Sequence, residues 1–310
     1  MSKARSELLM TLESLETAVK SLGQVDASPT NSRSPKRLAL NGMLVITFAA
    51  LEDFIRQRVV EVLNAIFAPP LHFEDAPDLI QTYILQEWVR GVNAQLQRRD
   101  PQPLSLILKQ EAEMMGTTVR PQHLVISDYV FGRSQSNISL SQIGDLFCAF
   151  GISDTPKSLA AISDATKTLH LGRPDQIFSR ISETRNSCAH GFSNNSDSSA
   201  LLTDLEGSIR ATAIAVDTCI SHAAALMRFP TIRKDYPIPF ATDNVKIRIV
   251  QFNALSQEWD VYLDGDKAPS ISKTQVQRKI ESLKKAASRS METLLQVDHL
   301  GKITDWNQPI

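Results

Sequence analysis

Between residues 36 and 67 the apolar side chains Leu44, Phe48, Leu51, Ile55, Val59 and Val62 recur at intervals of four, three, four, four and three. Such a series falls on one line only when the backbone turns once every 3.6 residues, as an α-helix does. Pro69-Pro70 stops it, because proline has no N–H to donate and its ring collides with the preceding turn. A helix of about thirty residues is roughly 45 Å long, and it must hide its stripe against other elements. That requirement makes the fold helical before any other segment is read.

The neighbouring segments agree. Leu8, Leu12, Leu15, Val19 and Leu22 mark an amphipathic helix over residues 5–22, and the stretch from Gly23 to Lys36, with Ser, Asn, Asp and two prolines, reads as a flexible connection. Two further helices are expected over 77–97 and 103–115, followed by an irregular region from Gly116 to Asn137 in which Val119 and Leu124 to Val130 read as extended. Ser139-Leu-Ser-Gln142 has the form of a capping box opening a helix through Ile143, Leu146, Phe147 and Phe150. Asp154 or Thr155 before Pro156 starts another, and Pro174 opens the next, which carries Ile177, Ile181 and Cys188 and stops at Gly191. The polar run from Ser193 to Ser199 reads as a loop. Thr203-Asp-Leu-Glu206 then caps a last long helix to about Met227, with Ile209, Ala213, Val216, Ile220 and Ala224 inward.

At residues 229–240 the character changes: Pro230, Pro237 and Pro239 make a stiff linker. Beyond it, Val245 to Phe252 and Glu258 to Leu263 alternate apolar and polar residues as half-exposed strands do. A helix from about Thr274 to Ser288 follows, and Leu294 to Val297 with Lys302 to Trp306 flank a turn as a closing hairpin. The expected organisation is a mainly α protein: a helical bundle over 1–228, a linker over 229–240, and a small C-terminal α+β appendage over 241–310. About seventy residues are marginal for an independent core.

Charge limits the partners. The 33 basic and 34 acidic side chains nearly cancel, whereas a protein that coats long nucleic acid carries a positive excess to neutralise phosphates. Any RNA contact must therefore be local. Cys148, Cys188 and Cys219 are odd in number and widely spaced, which excludes a disulfide framework and a cysteine-rich zinc site and suits a reducing compartment. Residues 1–22 alternate charge with Leu and do not read as a signal peptide. The longest apolar stretch, Met43 to Leu51, is too short to span a bilayer. A cytoplasmic protein with no membrane partner is expected.

The candidate chemistry lies in Glu183-Thr-Arg185-Asn186-Ser-Cys-Ala-His190-Gly191-Phe192. Arg185 is a permanent cation whose planar fork matches phosphate oxygens, and His190 can move protons near neutral pH. Together they suffice to cleave RNA without a metal: the imidazole handles the 2′-hydroxyl or 5′-oxygen proton while the guanidinium stabilises charge on the phosphoryl group. On an ideal helix these two residues stand about 140° apart, so one copy is incomplete, and two copies across a dimer would assemble a better site. Asn186 and His190, four apart, share a face, so the amide can orient the imidazole. An Arg–His pair at such spacing is expected on the order of once by chance in a chain this long. The competing reading makes His190 a helix-terminal residue favoured by the dipole, with Arg185 paired to Glu183 or solvent.

The same segment resembles the signature of the HEPN superfamily of RNA-cleaving and defence-associated helical proteins: Arg, a polar residue, a short spacer, His, then often Gly. Arg185, Asn186 and His190 each fall on a signature position, and Leu44-Val-Ile-Thr-Phe-Ala-Ala-Leu-Glu52-Asp-Phe-Ile-Arg56 is similar to the long helix of such domains, where a Leu-Glu pair sits inside an apolar run. The resemblance covers roughly residues 5 to 228, interrupted over 98–138. It implies a HEPN-like helical bundle and a metal-independent endoribonuclease that acts as a homodimer, leaves a cyclic phosphate, and serves as a toxin or antiviral defence effector, in some cases held by an antitoxin or regulatory protein. Some members carry Tyr two residues after the His, where modification silences them; Phe192 stands there in this chain.

Glu52 has two readings: an i,i+4 ion pair with Arg56, or an acid supporting the Arg185–His190 site, as the resemblance implies. His72, His123, His170, His222 and His299 are scattered without HxxxH or HExxH spacing, and no GxxxxGK[ST], GxGxxG or GxSxG occurs, so neither a metal nor a cofactor is expected. Cys188 has apolar neighbours and reads as packed rather than nucleophilic. Near the C-terminus, Lys273, Arg278, Lys279, Lys284, Lys285 and Arg289 face a single acid, Glu281. They form a solvated helix face or an RNA-contacting surface, with Arg278, Lys279, Lys284 and Lys285 as its centre. The alternative to a nuclease is a non-catalytic helical module that binds a partner protein or RNA.

Overall fold

The structure, a computed structural model, describes residues 2–23, 35–68, 73–97, 104–118, 126–127, 130–131, 138–190, 198–228, 241–272 and 274–310. Helices α1 (Lys3–Gly23), α2 (Pro35–Ile66), α3 (Asp78–Gln97), α4 (Leu104–Thr118), α5 (Leu140–Ala149), α6 (Thr155–Ala165), α7 (Pro174–His190) and α8 (Ser198–Met227) come first. Strands β1 (Lys246–Asn253), β2 (Glu258–Leu263) and β3 (Asp266–Ser272), helix α9 (Val276–Arg289) and strands β4 (Glu292–Val297) and β5 (Ile303–Asn307) follow. The described chain is thus mainly helical with a small mixed sheet near its C-terminus.

Every residue of the α2 stripe is buried, and α2 packs most extensively on α8, with α1 and α7 beside it. Phe48 of α2 meets Phe178 of α7 edge to face, ring centroids 5.7 Å apart, a geometry that adds about 0.5–1.5 kcal/mol to simple burial. By length and composition the Leu38–Ile66 stretch of α2 could cross a membrane, but half of its most apolar window is buried inside this protein.

The caps follow local chemistry. Ser139 Oγ accepts from the Gln142 amide while Gln142 Oε1 accepts from the Ser139 amide, a complete capping box. Asp154 caps α6 through Lys157 N, with Pro156 in the first turn.

Three expectations need correction. Thr203 is not a cap, because α8 begins at Ser198; Ala200-Leu-Leu202 are strong helix formers, so nothing breaks the helix before Thr203. Ser198 and Ser199 therefore belong to α8, and residues 193–197 of the expected loop lie outside the described residues. Helix α4 runs through Gly116 to Thr118, since one glycine costs a helix only about 1 kcal/mol. Of the segment read as extended, Ile126, Ser127 and Val130 are in no strand, while Val119, residues 124–125 and residues 128–129 lie outside the described residues, as do 24–34 and the 229–240 linker.

The sheet has the order β3-β2-β1-β4-β5, with β1 and β4 parallel and the other pairs antiparallel. Its two faces separate by alternation. Ile247, Ile249, Leu295, Val297, Ile303 and Trp306 join the core of the helices, and Val250, Val261, Ile271 and Leu294 pack with α9 residues such as Ala287 and Leu283. From Ser208 to Ala225, helix α8 is consequently covered on all sides: besides the expected stripe, Ala211, Thr212, Ala215, Asp217, Thr218 and His222 are buried. Its many small residues allow helices on one side and the sheet on the other to approach closely.

Polar groups stitch this junction. Arg58 of α2 donates through Nε to Asp217 Oδ1 (2.7 Å), through Nη1 to Glu61 (3.1 Å), and through Nη2 to Ser221 Oγ and the Ile310 carbonyl (2.9 Å each). Trp306, fully buried and edge-on to Phe54, donates its indole N–H to Asp217 Oδ2 at 2.8 Å. His222, Thr293, Gln308 and Thr218 form a second hydrogen-bonded chain.

Candidate functional site

Helix α7 carries its buried line through Ile177, Phe178 and Ile181, which dock it on α2 and α8. One turn past Ile181 the same line reaches Arg185, where the helix leaves the core, so this guanidinium is half-buried rather than covered. Asn186 stands next to it, exposed, and its Oδ1 accepts a hydrogen bond from Arg185 Nη1 at 3.1 Å. The amide oxygen that could have steered an imidazole is engaged by the arginine. His190 is the last residue of α7; its side chain, Gly191 and Phe192 lie outside the described residues. Cys188 is half-buried and packs against the core.

Glu52 reaches this region from α2. It is buried, and its carboxylate accepts the Ile138 N–H just ahead of α5. Arg56 turns to Asp53 at 3.0 Å, in place of the i,i+4 pair with Glu52. Burial raises the Glu52 pKa above the ordinary carboxylate value, opposed by the Ile138 N–H and by the positive charges of Arg56 and Arg185. The long apolar helix thus brings one buried carboxylate close enough to Arg185 for the guanidinium's charge to favour its ionised form. Sequence spacing alone had left Glu52 between two roles.

Chemically the arrangement offers a half-exposed guanidinium held by an amide and backed by a buried acid. A guanidinium so placed can receive a phosphate without reorganising its own supports. Among the described residues no group of three or more His, Cys, Asp or Glu is arranged to hold a metal ion.

The basic residues of α9 occupy another place. Arg278, Lys279 and Lys285 are exposed, while Lys284 is half-buried and pairs with Glu281 (3.3 Å) and Asp305 (3.5 Å), so it is committed within the protein. Helix α9 covers the face of the sheet opposite the helices, so the sheet stands between this basic face and α7.

Three buried arginines were not singled out by sequence reading: Arg5 of α1, Arg58 of α2 and Arg210 of α8. Arg58 meets Asp217 across 159 positions of chain, a separation that leaves no local signal. The faint clue was an arginine at each position on a helix flank bordering the apolar stripe.

No family model matches the chain, and comparison with curated proteins and with solved structures returns no match.

Proposed function

We propose that this chain is a metal-independent endoribonuclease of the HEPN type, cytoplasmic and homodimeric, working as a toxin or antiviral defence effector that an antitoxin or other regulatory protein can restrain. The observation that carries the reading is half-exposed Arg185 at the open end of α7, bonded to Asn186 and within electrostatic reach of the buried Glu52 of α2. Arg185 and Asn186 are positions of the Arg-Asn-x3-His signature, and Glu52 is the acid of the Leu-Glu pair in the long helix that the same resemblance singles out.

In this reaction His190 removes the 2′-hydroxyl proton, and the 2′-oxygen attacks phosphorus. Arg185 holds the charge that develops on the phosphoryl oxygens. The 5′-oxygen leaves with a proton from His190 of the partner subunit, and a 2′,3′-cyclic phosphate remains. Asn186 and Glu52 are positioning residues that fix the guanidinium. The exposed α9 cations, beyond the sheet, would meet RNA as a separate contact.

The test is RNA cleavage by purified protein in excess EDTA, with the product ends identified. Cleavage should persist and leave cyclic phosphate; His190→Ala should slow it by about 10²–10⁴-fold, and Arg185→Ala by about 10²–10³-fold. Undiminished cutting by His190→Ala removes the assignment. The second reading, a helical module binding a partner protein, is favoured by the exposed apolar side chains Leu85 and Val89 of α3 and Leu106 and Leu108 of α4. It predicts partner binding that survives loss of both Arg185 and His190.

A further inference from the structure

Strands β1 and β4 run parallel, with Gln251 beside Val297, so the β1–β2 turn and the β4–β5 turn leave the sheet at one end. Strand β3 finishes there as well, Ser272 opposite Glu258. Gln275 N then donates to the Ser272 carbonyl at 3.0 Å, and α9 begins at once over the face that carries Val261 and Ile271. Three rings meet at this end. Phe252 and Trp259 are paired across the β1–β2 ladder, centroids 5.4 Å apart and ring planes tilted by 50°, and alternation puts them on the α9 face with Val250 and Val261. His299, from the other turn, stands edge-on to Phe252 at 6.5 Å.

His299 is exposed and the other two rings are half-buried. Leu255 and Leu300, one on each turn, are 98% and 79% exposed, the two most exposed large apolar side chains among the described residues. A single exposed leucine is ordinary, but two on neighbouring turns beside three rings mark a contact surface. Charge then narrows the partner. The first turn of α9 holds no acid and presents Arg278 and Lys279, both exposed. The acids at this end are engaged or face away. Asp298 Oδ1 accepts from Leu300 N and Lys302 N within its own turn, and Glu281 pairs with Lys284. Asp260 is held by Lys267, Asn253 and Ser270, and alternation puts it, with Glu258, on the opposite face from Trp259.

We propose that this end of the sheet holds single-stranded RNA, its bases stacking on Trp259, Phe252 and His299 and its phosphates meeting Arg278 and Lys279 of α9. Rings beside exposed cations suit a ligand that is flat and apolar on one side and anionic on the other, as a nucleotide strand is. A duplex keeps the faces of its bases stacked on each other, so the strand must be unpaired to use the rings. Leu255 and Leu300 border the stacked bases and keep water from their edges. The proposal rests on the reading of the chain as an RNA-cleaving protein, and it adds a place where substrate is gripped away from the α7 site.

The experiment is fluorescence anisotropy of the full chain with a labelled 2′-O-methyl RNA of about twelve nucleotides, beside an abasic strand of the same length and charge. The base-bearing strand should bind at least about fivefold more tightly than the abasic one, and Trp259→Ala should weaken its binding by about 5- to 150-fold. Arg278→Gln with Lys279→Gln, both at exposed positions, should lower the slope of log affinity against log salt by about 1.4. Bound bases should quench tryptophan emission, and Trp259→Phe should lose that quenching while retaining binding, which a merely structural ring would not do. Equal affinity for the two strands would overturn the proposal, as would full affinity in Trp259→Ala. Absence of binding up to about 100 μM strand would overturn it too, and is the result expected if the surface receives a protein instead. A 2′-O-methyl strand cannot be cut, so the two readings fail separately: binding without RNA cleavage removes only the α7 assignment, and cleavage without binding removes only this surface.

Discussion

The molecule places charged side chains in two settings that behave oppositely. At the junction of α2, α8 and the sheet, Arg58, Asp217 and Trp306 are buried and bonded at nearly every polar atom. At the end of α7, Arg185 is half-buried, Asn186 is exposed, and Arg185 Nη1 donates to Asn186 Oδ1. The first setting binds elements together and holds no guanidinium capacity for a ligand at Arg58. The second leaves a guanidinium facing outward on a fixed support. A charge whose partners are all internal serves architecture; one left at a helix end with part of its surface open is available to substrate.

The comparison breaks most visibly at Asp217. Asp217→Ala should destabilise the protein by about 3–5 kcal/mol, because it strands a buried guanidinium and an indole N–H together. Denaturant unfolding reads this directly, and a loss under 1 kcal/mol would mean that the junction is not held as described. Arg185→Ala in the same assay should stay within about 0.5 kcal/mol of the parent.

A smaller effect comes from His222, in the same junction. Burial holds its imidazole down to about 4, against 6.5 in the open chain. Below pH 6.5 the unfolded state binds a proton that the folded state refuses, so stability falls as pH drops from about 6.5 to about 4 and the loss then levels off. The loss approaches about 3 kcal/mol. Stability measured across that window should be steeper for the parent than for His222→Gln; parallel curves would place the imidazole in contact with solvent.

The smallest expected effect sharpens the other setting. Burial disfavours ionised Glu52, so Glu52→Gln, which keeps an oxygen for the Ile138 N–H, should leave neutral-pH stability unchanged or slightly higher. If that carboxylate positions Arg185, RNA cleavage should drop about tenfold. Unchanged cleavage together with higher stability would make Glu52 a structural residue only.

Helices with a single apolar stripe were legible from sequence: α1, α2 and α5 stand within a residue or two of their expected bounds, and α6 starts where it was expected to, because spacing and capping are local properties. Strand β3 was not read, although Asp264-Gly265 carried a hairpin signal; both residues adopt positive φ, 49° and 94°, between β2 and β3. The alternation of β3 itself is broken by Pro269 and exposed polar residues, which hides a strand on the sheet edge. For the candidate site, Arg185, Asn186 and His190 came from one short segment. The bond between Arg185 and Asn186 is local to α7, whereas the approach of Glu52 required α2 and α7 to be packed.

The sequence by itself determined which segments are helices and where several of them start, since a 3.6-residue period and a cap need only neighbours along the chain. The tertiary structure alone decided that α8 is enclosed on every side from Ser208 to Ala225, that Arg58 meets Asp217 from 159 residues away, and that Arg5 lies buried without acceptors for two of its nitrogens. Those outcomes depend on which surfaces lose water together, and that is a property of the folded assembly of elements rather than of any one of them.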